Sequence, residues 1–311
     1  MPDAPDLAIV VVSYNVRELL RRCLQSIYAS SGEFTYEVYV VDNNSRDGSA
    51  AMVAAEFPLV KLLTPGVNGG YALANNLALR LVNQEYATWP RYVLLLNPDT
   101  ELEPTALRQM IDFLDLHPEA GAAGPKLVRP NGELDLACRR SFPTPEVSLY
   151  RMTGLSRLFP RSRRFGRYNL TYADPNDVLE VDSVVGAFMM VRGTALEQVG
   201  LLDERFFMYG EDLDWAYRIK ERGWRVLYNG RVTVLHHKGA SSSQRSWQSI
   251  VEFYRAMLLF FDKHYAASTR WPIRWLIVAG VYICAAGSLL RSFLAGLRPP
   301  SWKASAQEAH L

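Results

Sequence analysis

Tyr92-Val-Leu-Leu-Leu-Asn-Pro-Asp-Thr100 is the stretch from which the rest of the chain can be read. Residues 92–96 are apolar or aromatic, too few for a helix and uniform enough for a central strand buried on both faces. Asn97 and Pro98 then stop the ladder and set Asp99 just beyond the strand's carboxyl end. In an open α/β sheet that edge is where ligands bind. A carboxylate on a tight turn fed by a rigid strand suits a divalent cation carried on a diphosphate. The plainer alternative is a cap for the next helix, which Pro104 and the spacing Leu107, Ile111, Leu114 announce.

Upstream, residues 7–12 are rich in Ile and Val and end at Ser13-Tyr14-Asn15, a first strand and its loop. Leu19, Leu20, Cys23, Leu24 and Ile27 recur at helical spacing. Residues 38–41 form a second strand that closes on Asp42-Asn-Asn-Ser-Arg-Asp-Gly48 and hands over to an Ala-rich helix. Residues 60–63 are a third strand. Asn68-Gly-Gly-Tyr-Ala-Leu-Ala-Asn-Asn76 follows, its glycines entering a helix with Leu73, Leu77 and Leu81 on the apolar side. This alternation predicts βαβ units and a Rossmann-like, mostly parallel sheet with flanking helices. Three loops and one glycine-bearing helix start then converge on a single sheet edge. Asp42 ends the second strand where dinucleotide folds place a carboxylate on a ribose, so a nucleotide lying there has Tyr14 beside the base. Ser13-Tyr-Asn-Val16 carries no glycine, which speaks against nicotinamide or flavin chemistry. A solvated turn is the alternative for Asp42 and Asp47.

In the second half, residues 124–128, 181–191 and 232–235 read as strands, the last delivering His236-His-Lys-Gly-Ala-Ser241. In Phe206-Phe-Met-Tyr-Gly-Glu-Asp-Leu-Asp-Trp-Ala-Tyr-Arg218 an aromatic run meets three carboxylates. Gly210 breaks the chain, and Glu211, Asp212 and Asp214 occupy the first turn of a helix, where the dipole favours acids. One acid suffices for that purpose. Adjacent carboxylates behind aromatic side chains suit a raised pKa and general-base work. Asp214 and Arg218 are spaced to pair along the helix. Residues 146–180 are the least patterned, with Arg157, Arg161, Arg163, Arg164 and Arg167 close together. A solvated face is the ordinary reading of such a run; a mobile basic loop over a diphosphate or against anionic lipid is the sharper one.

A chain of 311 residues suffices for one large or two modest domains, and a net charge of +2 gives no global argument for nucleic acid. Cys23, Cys138 and Cys284 are too few and scattered for a disulfide framework or a zinc site, which favours a reducing compartment. The acidic start, leading straight into a strand, is not expected to be a signal peptide. Residues 247–264 form an amphipathic aromatic helix. The uncharged run 275–290, flanked by Arg270, Arg274, Arg291 and Arg298, falls short of the roughly 20 residues needed to span a bilayer. An interfacial or re-entrant helix is expected there, with a homo-oligomer contact as the alternative. Residues from 299 on read as a disordered tail.

Val11-Val-Ser-Tyr-Asn15, Val41-Asp-Asn-Asn-Ser-Arg-Asp-Gly-Ser49, Asn68 to Asn76 and Leu96-Asn-Pro-Asp-Thr100, in that order, resemble the family 2 glycosyltransferases. The resemblance covers roughly residues 7–260 and is nearest the rhamnosyltransferase-like branch that builds bacterial surface polysaccharides. It implies a GT-A domain over 1–245; the C-terminal helices over 246–298, with their cationic flanks and a lipid-linked acceptor expected, are read as membrane-associated. The implied reaction is metal-dependent, inverting transfer of one sugar from a nucleoside-diphosphate donor to a lipid-linked acceptor. Ser13, Tyr14, Asp42, Asn68, Gly70, Asn76 and Asp99 would line the donor. Asp99 and His236, with His237 as the alternative imidazole, would hold Mn²⁺ or Mg²⁺. Asp212 would be the base, with Glu211 second. Asn97 stands where the family's commonest metal motif has its first acid, which raises the value of an imidazole ligand and tilts selectivity toward manganese. Gln244-Arg-Ser-Trp247 does not have the spacing of the processive polymerases, so single-sugar addition is expected. The implied partners are dTDP-L-rhamnose or a UDP-linked sugar, a polyprenyl-diphosphate-linked saccharide and the cytoplasmic face of the membrane, with no nucleic acid. A UDP-hexose or galactofuranose transferase and an inactive membrane scaffold are the rivals.

Overall fold

The computed structural model describes residues 2–238 and 246–296, in two compact units, Met1–Ser241 and Ser242–Leu311. In the first, β1 (Leu7–Ser13), β2 (Tyr36–Asp42), β3 (Lys61–Leu63) and β4 (Tyr92–Leu96) run parallel in the order β3-β2-β1-β4. The connecting helices are α1 (Arg17–Tyr28), α2 (Ser49–Glu56) and α3 (Tyr71–Glu85). Every residue of β1 and β4 is buried, as uniform apolar strands covered on both faces require. Leu20, Cys23, Leu24 and Ile27 form the buried stripe of α1, each large side chain contributing about 1.5–3 kcal/mol of transfer free energy.

Beyond β4 the sheet becomes mixed. The chain forms β5 (Thr100–Leu102), α4 (Ala106–Leu116), β6 (Ala120–Val128), α5 (Pro145–Met152), α6 (Leu155–Leu158) and β7 (Val178–Val181). Then come β8 (Phe188–Arg192), α7 (Gly193–Val199), α8 (Glu211–Glu221) and β9 (Arg225–His236). The order continues β4-β8-β6-β9-β5, with β7 also on β9. β8 is antiparallel to both β4 and β6, whereas β6 and β9 are parallel.

Two strand expectations change, and one strand is added. The run 181–191 is two strands, because Asp182 and Ser183 both donate their N–H to the Arg140 carbonyl and Val185 to Phe188 closes a turn. Residues 232–235 are the end of a 12-residue strand. The three-residue β5, too short to carry a pattern, pairs antiparallel with the end of β9 and sets Thr100 opposite His236.

The second unit holds α9 (Ser246–His264) and α10 (Trp271–Gly296). They are tied by a 2.8 Å hydrogen bond between the Tyr254 and Ser288 hydroxyls and a 2.8 Å ion pair from Arg274 to Asp262. Within α10, Trp271–Leu294 is long and apolar enough, at 24 residues, to cross a membrane. The shorter run read from sequence stopped at Arg274 and Arg291, both of which lie within this helix. The tail expected from residue 299 lies outside the described residues.

Candidate active site

The parallel register brings Ser13 and Asp42 side by side at the carboxyl ends of β1 and β2. Both are buried, and the Ser13 Oγ and Asp42 Oδ1 have no hydrogen-bond partner. Buried polar atoms are rarely left so without a purpose. The two loops are joined to each other: Asn15 N–H donates to Ser45 Oγ at 2.9 Å, and Arg46 N–H donates to Asn15 Oδ1 at 2.7 Å. Asp47 receives the Arg17 N–H at 2.7 Å and so caps α1 across the loops, a structural role. Asp42 Oδ2 receives the Ser45 N–H at 2.9 Å, leaving one carboxylate oxygen uncommitted.

Asn68 and Gly70 are fixed by a residue that sequence reasoning did not single out. Asn43 donates to Asn68 Oδ1 at 3.0 Å and to the Gly70 carbonyl at 3.1 Å, and accepts from the Gly69 N–H at 3.0 Å. Gly70 has φ +88°, and a Cβ there would lie 2.3 Å from the Phe207 carbonyl oxygen, so no other residue fits. Asn76 is elsewhere engaged: its amide bonds the Leu202 backbone in both directions and Glu204. Tyr14, half-buried, sits beside Ser13 on the same loop.

The β5–β9 pairing builds a charged edge. His236 Nε2 lies 3.3 Å from Asp99 Oδ1, and its Nδ1 lies 3.0 Å from Asp135 Oδ2. Lys238 reaches the other Asp135 oxygen at 2.6 Å. Burial disfavours the imidazolium, but the hydrogen bond to Asp135 and the negative charge of Asp99 outweigh it and push the His236 pKa up to about 9. Burial would raise the Asp135 pKa, yet His236 and Lys238 hold it well below the usual carboxylate range. His237 is a separate matter: its N–H donates to the Asp99 carbonyl at 2.8 Å, and its ring meets Glu101 at 2.7 Å. A cavity of about 380 Å³ opens here, lined by Arg129, Pro130, His237 and Lys238.

The donor set fits a divalent cation in part. Asp99 Oδ1 is buried without a hydrogen-bond partner, and it faces the imidazole Nε2. Asp135 on Nδ1 supplies the carboxylate–histidine arrangement that orients a ligating ring. Among the described residues no group of three or more His, Cys, Asp or Glu side chains is arranged to hold a metal. The chain thus offers two donors, a number suited to a cation otherwise held by diphosphate oxygens and water. Asp135 escaped the sequence reading because nothing near it in the chain marks it.

At the start of α8 the two adjacent carboxylates differ. Asp212 Oδ2 accepts from Arg140 at 2.7 Å and from the Gly186 N–H at 2.9 Å, while Oδ1 accepts from the Leu213 N–H at 2.7 Å. Arg140 and Asp212 are both buried. Burial opposes the Arg140 charge, but the Asp212 carboxylate holds its pKa above the ordinary guanidinium value. Glu211 Oε2, also buried, has no partner. Burial first, and the Asp212 charge second, push the Glu211 pKa up to about 8. Tyr71 links the two halves of the site: its hydroxyl donates to the Gly186 carbonyl at 2.9 Å. Burial and the charges of Glu211, Asp212 and Asp99 together raise its pKa well above the phenol value. Asp214 pairs with Arg218 at 2.9 Å, as the helical spacing predicts, and Arg218 also donates to the carbonyls of Val199 and Leu201.

Comparison with solved structures agrees with this architecture. A mannosyltransferase from Pyrobaculum calidifontis, in complex with GDP-Man and Mn²⁺, superposes with a TM-score of 0.56 at 18% identity, over 99% of this chain and 81% of the other. Residues 1–349 of Staphylococcus aureus TarS give 0.53 at 15% identity, over 96% and 77%. These likenesses establish the GT-A fold. Among curated proteins, an N-acetylglucosaminyl-diphospho-decaprenol L-rhamnosyltransferase of Mycobacterium tuberculosis is 28% identical over 92% of this chain and 95% of its own length. The rhamnosyltransferase WbbL of Escherichia coli is 24% identical over 74% and 82%. The family model for Glycosyl transferase family 2 matches residues 8–199, more than half of the molecule, and the chain belongs to that family.

Proposed function

We propose that the protein is a divalent-cation-dependent, inverting glycosyltransferase. It would transfer a single sugar, L-rhamnose from dTDP-L-rhamnose, to a polyprenyl-diphosphate-linked saccharide at the cytoplasmic face of the membrane. The observation that supports the reading is the backbone at Gly186 and Ala187: the Gly186 N–H donates to Asp212 at 2.9 Å, and the Ala187 carbonyl accepts at 3.0 Å from the N–H of Asn97, two residues before Asp99. On this reading the cation-binding edge and the carboxylate pair serve one site. The sugar and the lipid-linked acceptor follow the name of the mycobacterial relative, the dTDP carrier follows the family resemblance, and α10, largely exposed along its apolar length, supplies the membrane contact.

Ser13 Oγ and Asp42 Oδ1, buried and unpartnered, receive the nucleoside, with Tyr14 beside the base. Asn43 holds Asn68 and Gly70 in place for the sugar side. Asp99 and His236 would hold the cation, Mn²⁺ or Mg²⁺, which would supply positive charge to the departing diphosphate. Asp212 takes the acceptor proton as the hydroxyl oxygen attacks the anomeric carbon from the side opposite the diphosphate. One displacement inverts the configuration through an oxocarbenium-like transition state. Arg140 and the Gly186 N–H hold the Asp212 side chain in position. Glu211, whose pKa of about 8 leaves it protonated at neutral pH, donates a hydrogen bond to a substrate hydroxyl. The unpartnered Glu211 Oε2 favours a second reading in which Glu211 is the base once deprotonated.

The test is calorimetric titration of nucleoside diphosphates and their sugars, with and without Mn²⁺, on the wild type and Asp99→Ala. Metal-dependent binding of dTDP-L-rhamnose, lost in the variant, is expected. Binding of a UDP-sugar instead would replace the donor, and no binding of any nucleotide would leave an inactive scaffold.

A further inference from the structure

The segment left unpatterned by sequence is an ordered, positively charged and partly apolar surface of the first unit. In residues 145–172, Arg151, Arg157, Arg161, Arg163, Arg164 and Arg167 are all exposed, and Glu146 is the sole acid. Glu146 is taken by Arg164, at 3.2 Å. On the same segment Leu158 is 70% exposed, with Leu149, Phe159 and Met152 also exposed. Leu149 and Met152 lie three residues apart on α5, hence on one side of it.

Beneath this surface the segment is fastened. Val147 and Tyr150 are buried. Phe165 packs edge-on against Tyr150 at 4.9 Å, and Thr171 donates to the Pro160 carbonyl. So the apolar side chains face solvent in a folded segment that already has its own core. The combination of arginines with Leu and Phe at exposed positions is what an interfacial protein surface presents to lipid: cations for headgroup phosphates, apolar groups for the acyl boundary.

We propose that the α5–α6 segment docks on an anionic phospholipid bilayer, as a membrane contact separate from α10. Arg157, Arg161 and Arg163 engage the phosphates, and Leu158 and Phe159 enter the interface. The contact is tied to the chemistry through the chain: Arg151 stacks on the Tyr168 ring at 4.5 Å, and Tyr168 lies against Arg140, the partner of Asp212. The Ser141 N–H donates to the Tyr168 carbonyl at 2.8 Å. A membrane held by this segment would therefore lie near the base that receives a lipid-linked acceptor.

The inference rests on the charge and exposure of this segment and stands whatever sugar is transferred. It is tested on the full chain carrying Cys284→Ser and an environment-sensitive fluorophore at Phe159→Cys, mixed with phosphatidylcholine vesicles with or without phosphatidylglycerol. A blue shift with the anionic vesicles, absent with the neutral ones and weakened by salt, is expected. Replacing Arg157, Arg161 and Arg163 by Gln should raise the lipid concentration that gives the half-maximal signal by roughly 10²-fold, at about 1 kcal/mol per cation near the surface. The label reports on this segment whether or not α10 is inserted. Equal responses to both vesicles, or an unchanged response in the triple variant, would overturn the proposal. A matching shift with a soluble polyanion would overturn it in favour of a non-membrane partner.

Discussion

The two charged groups of the site solve opposite problems. On the β5–β9 edge, His236 lies between Asp99 and Asp135, and Lys238 adds a second positive charge. At the start of α8, Arg140 is ion-paired with Asp212, and among the described residues Glu211 forms no ion pair and its Oε2 no hydrogen bond. The first group balances its charges by keeping a proton on an imidazole, the second by keeping one on a carboxyl. Under the proposed mechanism a bound cation would replace the first proton, and the Glu211 carboxyl would be left for substrate. The buried acid pair with one arginine would then differ from the β5–β9 edge because its missing charge is a proton and not an ion.

The largest effect expected is on the carboxylate side. Asp212→Asn should lower transfer by roughly 10²–10⁴-fold while donor binding in calorimetry stays close to wild type. Equal loss for Glu211→Gln, with Asp212→Asn nearly active, would exchange their roles. Arg140→Met should destabilise the fold by about 3–5 kcal/mol in urea unfolding, because Asp212 would remain buried and unpaired. On the cation edge, Asp135→Asn should weaken Mn²⁺-dependent donor binding by roughly 10–100-fold with little change in metal-free binding. An identical loss with and without metal would deny the edge its cation role.

A smaller effect separates the groups by pH. The Glu211 pKa, raised to about 8, means that the folded state holds a proton which the unfolded chain has released. Its contribution is full at pH values below the ordinary carboxyl pKa and is lost as pH rises through about 8. Glu211→Gln should therefore raise the melting temperature relative to wild type at pH 8.5 and leave the difference near zero at pH 4. A gap that widened toward low pH would contradict the protonated Glu211. The smallest expected change is Asp47→Ala, which frees the Arg17 N–H at the head of α1 and should cost about 1 kcal/mol with donor affinity intact.

The parallel half was legible because its signals are local. Uniform strands, helical spacing and turn residues lie within a few positions of each other, and β1, β2 and β4 fall where 7–12, 38–41 and 92–96 predict them. Asp99, Glu211, Asp212 and His236 stand out as candidates in the sequence because each lies at an element's end. Their partners could not. Asp135 lies 101 residues from His236 and Arg140 lies 72 from Asp212, in a stretch without periodicity. Asn43 sits inside a polar turn where any residue reads as solvated, yet its amide holds the glycine loop. Asn76, placed by motif among the donor contacts, has its amide bound to Leu202 and Glu204. Adjacency in a motif does not fix where a side chain spends its hydrogen bonds.

β9 has a consequence for the order of synthesis. It is the last strand of the first unit, and β5, β6 and β7 all pair with it. A nascent chain that ends before residue 225 can assemble β3-β2-β1-β4 and the loops that follow β1 and β2, but β5 and β7 lack the strand they pair with among the described residues, and His236 does not yet exist. The β5–β9 edge therefore closes with the final long-range pairing, after the most local contacts have formed. Under the proposed function, a half-made molecule would offer a cradle for the nucleoside but no completed grip on its diphosphate.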